Sequence, residues 1–293
     1  MDEKQSNINW LELDKEELQF LGDAAGFETV VVSGDEAPNS AADEIVAPRP
    51  NAGEIIKALS TVAITEGPEA FCTFVAEHRE EVYAAAFFDE DVIRALLVGY
   101  KLGIDQKSGA CANDLGAMYY AGEIVEQDYA KAAQLYEMAI GWGCEQSIIN
   151  MGYIYEYGRI GEPDYAKAYE YYALAAALTD KSEAIYKLGD MYSHGRSVQR
   201  DMSKAARLWD RSLQMAQNPQ EVAQPAIRLA PLYLEGSEDA VIAPDALLAL
   251  QLFQRAEIGL RIDIRNGLTY YSRRLEQAIE GQEKARLALD ALD

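Results

Sequence analysis

Three near-copies of one sixteen-residue stretch recur at intervals of 36 and 37 residues: DYAKAAQLYEMAIGWG from Asp128, DYAKAYEYYALAAALT from Asp164 and DMSKAARLWDRSLQMA from Asp201. A fixed period in this range marks a stacked array of helical units, because one hairpin cannot bury its own apolar face and its neighbours must cover it. A second shared pattern stands upstream of each copy: LGAMYYAG at Leu115, MGYIYEYG at Met151 and LGDMYSHG at Leu188. Gly116, Gly152 and Gly189 are each followed after three residues by Tyr119, Tyr155 and Tyr192. Three residues later come Gly122, Gly158 and Gly195, and six more reach Asp128, Asp164 and Asp201. A fourth, worn copy runs LAPLYLEG from Leu229 and then PDALLALQLFQRAEIG, with a longer loop between its helices and Pro231 interrupting its pattern.

Each recurring slot has a physical job. A mid-helix glycine costs about 1 kcal/mol of helix propensity against alanine; it recurs because a missing side chain lets the two helices of a hairpin approach. Ala132, Ala168 and Ala205 are the expected partners on the second helix. The later glycine fits a left-handed helix end. The aspartate fits an N-cap, worth about 1 kcal/mol. Tyr136, Tyr172 and Trp209, eight residues past each aspartate, fall on the buried face of the second helix, and Ala139 and Ala175 leave room for a neighbouring hairpin.

The run L-G-x-x-Y-x-x-G, six residues to Asp, then x-x-K-A and an aromatic before small residues, resembles the Sel-one-like repeat, a branch of the tetratricopeptide-type helical hairpins. The resemblance covers about half the chain. It implies an all-α fold, a right-handed α-solenoid superhelix, whose concave wall is built from the first helix of each hairpin and whose usual role is protein–protein contact. Two departures stand out: Asp210-Arg211-Ser212 replaces the aromatic-x-Ala ending of the third copy, and Pro231 sits in the fourth.

The repeats are expected over 108–258, divided at about 108–144, 145–180, 181–218 and 219–258. Residues 1–50, with twelve Asp or Glu against three Lys or Arg, read as an acidic arm and linker, partly disordered or with one docking element. There NWLELDKEELQFLG could form a short amphipathic helix and FETVVVSG a strand or extended segment. Residues 51–107 read as three or so capping helices, with Pro68 at a first-turn position. Residues 259–293 read as a C-terminal cap, since the end units of solenoids are atypical where one face meets water.

The charge balance of 26 basic against 49 acidic residues, net -23, repels phosphate backbones and anionic lipid and argues against nucleic-acid and membrane-surface roles. It favours a protein or peptide partner with a neutral or basic face. The N-terminus lacks the basic start and apolar core of a secretory signal, and no stretch approaches the roughly 18 apolar residues of a membrane span. The odd cysteines Cys72, Cys111 and Cys144 read as reduced thiols in a cytoplasmic protein.

On the first helix of each hairpin, one stripe is left to face the groove: Asn113, Ala117 and Tyr120 in the first copy; Ile149, Tyr153 and Tyr157, with Glu156 beside it, in the second; Tyr186, Asp190 and His194 in the third; and Arg228 in the fourth. The repeat pattern does not require Tyr120, Tyr153, Tyr157 or Tyr186. They fit either a recognition groove for an extended or helical peptide or the filling of gaps between repeats, or they lie beneath the N-terminal arm. A structural module that associates with a second copy, with WLELDKEELQFL docking in a groove, is the other reading of the whole. Catalysis is not expected. His78 lies on a charged helical face, His194 has no Ser, Cys or acid at triad spacing, no Cys/His cluster has metal-ligand spacing, and the glycines follow the repeat rather than a phosphate loop. No cofactor is expected.

Overall fold

A computed structural model describes residues 9–26 and 51–291. Among them the regular structure is α-helical, apart from two 3-10 turns and one isolated bridge between Ser237 and Ile242. FETVVVSG and most of the linker lie outside the described residues. The chain divides into two compact units, Met1–Ser147 and Ile148–Asp293.

The first unit holds α1 (Lys15–Ala25), α2 (Ala52–Thr65), α3 (Pro68–Glu77), α4 (Arg79–Ala86), α5 (Glu90–Asp105), α6 (Gly109–Ala121), α7 (Tyr129–Gly141) and the opening of α8 (Glu145–Glu156). α1 starts with a capping box: Asp14 accepts from the Glu17 N–H at 2.8 Å and Glu17 accepts from the Asp14 N–H at 3.2 Å. Glu17 also pairs with Lys101 of α5 at 2.6 Å. Leu11 and Leu21 are buried in the unit's core, and α1 packs on α2 and α5. Just before it, Trp10 meets the Tyr119 ring edge-on at 5.5 Å, with the Lys131 ammonium 5.1 Å from the Trp10 ring.

Four helices, not three, occupy the region between the acidic arm and the repeats. The stretch GPEAFCTFVAEHREEVYAAAFF breaks at His78, whose backbone leaves the helical region at φ -108°, ψ 22°. Its imidazole is not a solvated surface group. It stacks on Phe74 at 4.4 Å, with Nδ1 3.0 Å from the Phe74 carbonyl oxygen, and is half-buried. Pro68 opens α3 as expected.

The second unit continues with the rest of α8, then α9 (Tyr165–Leu178), α10 (Ser182–His194), α11 (Met202–Met215), α12 (Pro219–Glu235), α13 (Ala246–Arg265) and α14 (Ser272–Asp290). α12 runs through both Pro225 and Pro231; each proline withdraws one N–H from the helical ladder and crowds the carbonyl four residues before it.

The four hairpins share one set of local bonds. Asp128, Asp164, Asp201 and Asp245 cap α7, α9, α11 and α13, each side chain accepting from the N–H three residues on at 2.9, 3.0, 2.7 and 2.9 Å. The same aspartates donate their own N–H to the carbonyls of Tyr119, Tyr155, Tyr192 and Tyr233 at 3.0, 2.9, 3.0 and 2.7 Å. In the first three copies the lysine three residues past the aspartate lies over that tyrosine's ring, at 4.9, 4.7 and 4.0 Å for Lys131, Lys167 and Lys204. Gly122, Gly158 and Gly195 take the left-handed φ of 68°, 59° and 65° that ends the first helix.

The mid-helix glycines serve the aromatics more than the alanines. A Cβ at Gly116 would lie 2.8 Å from the Tyr136 ring, at Gly152 2.3 Å from Tyr172, and at Gly189 2.5 Å from Trp209. Ala132, Ala168 and Ala205 are fully buried, but the ring atoms are the nearest neighbours of each glycine. In the fourth copy Ala230 holds the glycine's place, and Phe253 instead nests on Gly281 of α14, where a Cβ would meet its ring at 2.4 Å.

Gly152→Ala is therefore expected to destabilise by about 1–3 kcal/mol through overpacking. Gly141→Ala, whose added methyl meets nothing within 4 Å, is expected to stabilise by about 0.4–1 kcal/mol. Urea unfolding of the two variants beside the parent chain checks both signs; a neutral Gly152→Ala would show that the ring does not set the helix spacing.

Candidate functional site

In the second unit, the first helices of successive hairpins carry ionised side chains into a largely buried layer. Glu156 of α8 is at its centre, only 4% exposed. It accepts from the Tyr172 hydroxyl at 2.7 Å, pairs with the Lys187 ammonium at 2.5 Å and accepts from Arg196 at 2.8 Å. Lys187, itself buried, also lies 4.7, 5.4 and 5.3 Å from the rings of Tyr153, Tyr157 and Tyr172.

A second cluster sits one repeat further on. Arg228 of α12 grips Asp190 of α10 through Nε at 2.5 Å and Nη2 at 2.6 Å, a bidentate pair. The Trp209 indole N–H donates to the same carboxylate at 3.0 Å. Arg228 also lies over the Tyr186 ring at 4.7 Å and donates to the Gln224 carbonyl at 2.7 Å. Arg274 of α14 donates to the Gln224 side-chain oxygen, while the Gln224 Nε2 is buried with no partner among the described residues. Between the clusters, the Tyr153 hydroxyl donates to Glu183 at 2.6 Å and lies 3.0 Å from the Tyr186 hydroxyl.

Electrostatics follow the geometry. Burial alone would raise the Asp190 carboxyl, but the Arg228 guanidinium beside it holds it below the usual carboxylate range. Burial would lower Arg228, yet Asp190 raises it, so the pair is fully ionised. Burial pushes the phenols of Tyr153, Tyr172 and Tyr186 well up, which keeps them neutral donors.

The residues expected to face a groove thus divide. Ala117 and His194 are exposed, and Tyr157 is 47% exposed. Asn113, Tyr120, Tyr153 and Arg228 are half-buried. Ile149, Glu156, Tyr186 and Asp190 are buried, so they support their neighbours instead of presenting a side chain to solvent. In the first unit, Asn113 accepts from the Ser147 hydroxyl at 2.8 Å. The Tyr120 ring meets Tyr129 at 5.2 Å. His194 Nδ1 lies 2.8 Å from both the Asp190 carbonyl oxygen and the Ser193 hydroxyl. Among the described residues no group of three His, Cys, Asp or Glu side chains stands close enough to hold a metal ion.

Sequence reasoning missed Lys187, Glu183, Arg196, Gln224 and Arg274. A signal for Lys187 was present. The slot two residues before the mid-helix glycine, or Ala230 in the fourth copy, reads Asp114, Asn150, Lys187 and Arg228. Polar residues at that one register in all four copies point to a polar seam beside the packed face.

Residues 109–140, 146–180, 182–215 and 226–257 match the Sel1 repeat. The chain therefore carries four Sel1 repeats in register, and its fold is the all-α solenoid of Sel1-type hairpins. Proteins of this kind generally mediate protein–protein interaction. The chain is similar to the crystal structure of a Sel1 repeat protein from Oxalobacter formigenes, with 22% identity and a TM-score of 0.53 over 81% of this chain and 96% of that one. It is also similar to a protective antigen of uropathogenic Escherichia coli that displays an SLR fold, with 20% identity and a TM-score of 0.49 over 82% of this chain and 50% of that one. No curated protein matches the sequence. No helix among the described residues is long and apolar enough to cross a membrane.

Two buried carboxylates give opposite pH signatures. Asp190, with a lowered folded pKa, contributes stability that is present above its unfolded value and lost as pH falls through the folded one. Asp263 of α13 is pushed up to about 6 by burial, so its contribution is complete below its unfolded value of about 4 and is lost as pH rises to about 6. Asp190→Asn is expected to destabilise at pH 7 and to flatten the acid limb below about pH 4. Asp263→Asn is expected to stabilise at pH 7 and to remove the slope between about pH 4 and 6. Thermal midpoints from pH 2 to 8 for both variants check the two signs.

Proposed function

We propose that the chain is a non-enzymatic scaffold that binds a partner protein or peptide in the concave groove of its repeat array, with Tyr157 as the principal contact. The observation that carries this reading is Tyr157 itself. It stands 47% exposed and stacks at 6.0 Å, nearly parallel, on the half-buried Tyr153, above the Lys187–Glu156 pair. An aromatic that is open to solvent yet held from below can bury a large area without ordering a loose side chain.

Tyr153, Tyr186 and Asp190 then act as the floor, since their hydroxyl and carboxylate groups are already engaged within the unit. His194, exposed at the end of α10, extends the surface within the same unit. The acidic balance of 49 against 26 favours partners with a neutral or basic face. A cytoplasmic adaptor that needs no cofactor fits these properties.

The test is capture of partners by the parent chain, Tyr157→Ala and His194→Ala, each first shown to keep its helical circular dichroism and thermal midpoint. A partner held by the parent is expected to bind Tyr157→Ala at least about tenfold more weakly. Undiminished binding to both folded variants would place recognition elsewhere.

A further inference from the structure

In the first unit, two thiols that stand 39 residues apart in sequence are brought together. The Sγ atoms of Cys72 on α3 and Cys111 on α6 lie 3.4 Å apart, Cys111 fully buried and Cys72 8% exposed. Their approach depends on α5. A Cβ at Gly103 would lie 2.2 Å from the Cys111 sulfur and 3.3 Å from Pro68, and a Cβ at Gly99, one turn earlier, would lie 2.3 Å from the Phe71 ring. Two glycines on one face of α5 therefore admit α3 and α6 closely enough for the sulfurs to touch. Cys144, the third thiol, is half-buried.

We propose that Cys72 and Cys111 form a reversible disulfide when the protein meets a low-molecular-weight disulfide oxidant such as oxidised glutathione. A disulfide needs the sulfurs to close from 3.4 Å to about 2.05 Å, a movement within reach of side-chain rotation and slight helix adjustment. When the pair loses one proton, the remaining one is shared between the two sulfurs. Donation from the Cys72 thiol favours the thiolate at Cys111.

Cys72, with its residual exposure, meets the oxidant. The Cys111 thiolate takes the Cys72 proton as the Cys72 sulfur attacks one sulfur of glutathione disulfide, forming a mixed disulfide and releasing one glutathione thiolate. That glutathione thiolate then takes up the proton Cys111 has gained. Cys111 thiolate then attacks the Cys72 sulfur, closing the Cys72–Cys111 bond and releasing the second glutathione. The protein gives up two protons and two electrons, and glutathione disulfide is reduced to two glutathione thiols. The bond ties α3, outside the repeats, to α6, the first helix of the first repeat, and closes the chain between residues 72 and 111.

The full chain, incubated with oxidised glutathione and then alkylated with N-ethylmaleimide in denaturant, distinguishes the outcomes by intact mass and peptide mapping. The expected product has lost two hydrogens, carries the alkyl group on Cys144 alone, joins the Cys72 and Cys111 peptides, and returns to three alkylated thiols after dithiothreitol. In Cys111→Ser the first step has no resolving thiol, so a glutathione adduct is expected to persist on Cys72. Three alkylated thiols in the treated parent chain would overturn the proposal. So would a bond that uses Cys144, or a stable glutathione adduct on Cys72 of the parent.

Discussion

An aromatic ring seated where a glycine leaves no side chain is the contact on which both units are built. Tyr136 on Gly116, Tyr172 on Gly152 and Trp209 on Gly189 place it inside the repeats, and Phe71 on Gly99 and Phe253 on Gly281 place it on either side. In each case a Cβ would come within 2.3–2.8 Å of the ring, nearer than any real packing allows. The glycine weakens its own helix by about 1 kcal/mol, and the ring in return is buried at a fixed depth. That depth sets how closely the two helices lie. The short-range bonds then follow: the aspartate cap, the tyrosine carbonyl that accepts its N–H, and the lysine over the tyrosine ring.

The same choice generates the polar layer. Tyrosine and tryptophan bring a donor with them, and a buried donor needs an acceptor. Tyr172 finds Glu156 and Trp209 finds Asp190. Each acceptor is a carboxylate that burial would penalise, so each in turn requires a cation: Lys187 and Arg196 for one, Arg228 for the other. Phe253, which carries no donor, sits where α14 meets the last hairpin. The chain of requirements runs from ring to carboxylate to cation, and removing one partner leaves the others buried and unpaired.

Much of this was legible in the sequence. The period, the aspartate caps, the left-handed glycines and the buried aromatics eight residues past each cap follow from local rules, because each depends on neighbours within one hairpin. The fold class followed with them. The glycine's true partner was harder to read, since alanine and the aromatic lie on nearby faces of the second helix and spacing alone does not say which reaches across. The break at His78 escaped because the stretch carries no glycine or proline there, and the ring that folds back on Phe74 leaves no mark in the local pattern. The stripe expected to face a groove was a helix register, and register alone does not give exposure. Tyr186 shares its register with Tyr157, yet it is buried beneath Arg228 of α12 and against Tyr153 of α8, which a wheel of α10 alone does not display.

This burial pattern also bears on how such a surface could select a partner. Glu156 and Asp190 belong to the chain's 49 acidic residues, but their charges are cancelled in place by Lys187, Arg196 and Arg228. The long-range field therefore comes from the exposed carboxylates, which steer approach but fix no geometry. On the proposed reading, geometry would be left to Tyr157 and the buried layer beneath it. A surface divided in this way would keep its shape as salt rises while its association rate falls, because screening acts on exposed charges and hardly on a buried pair.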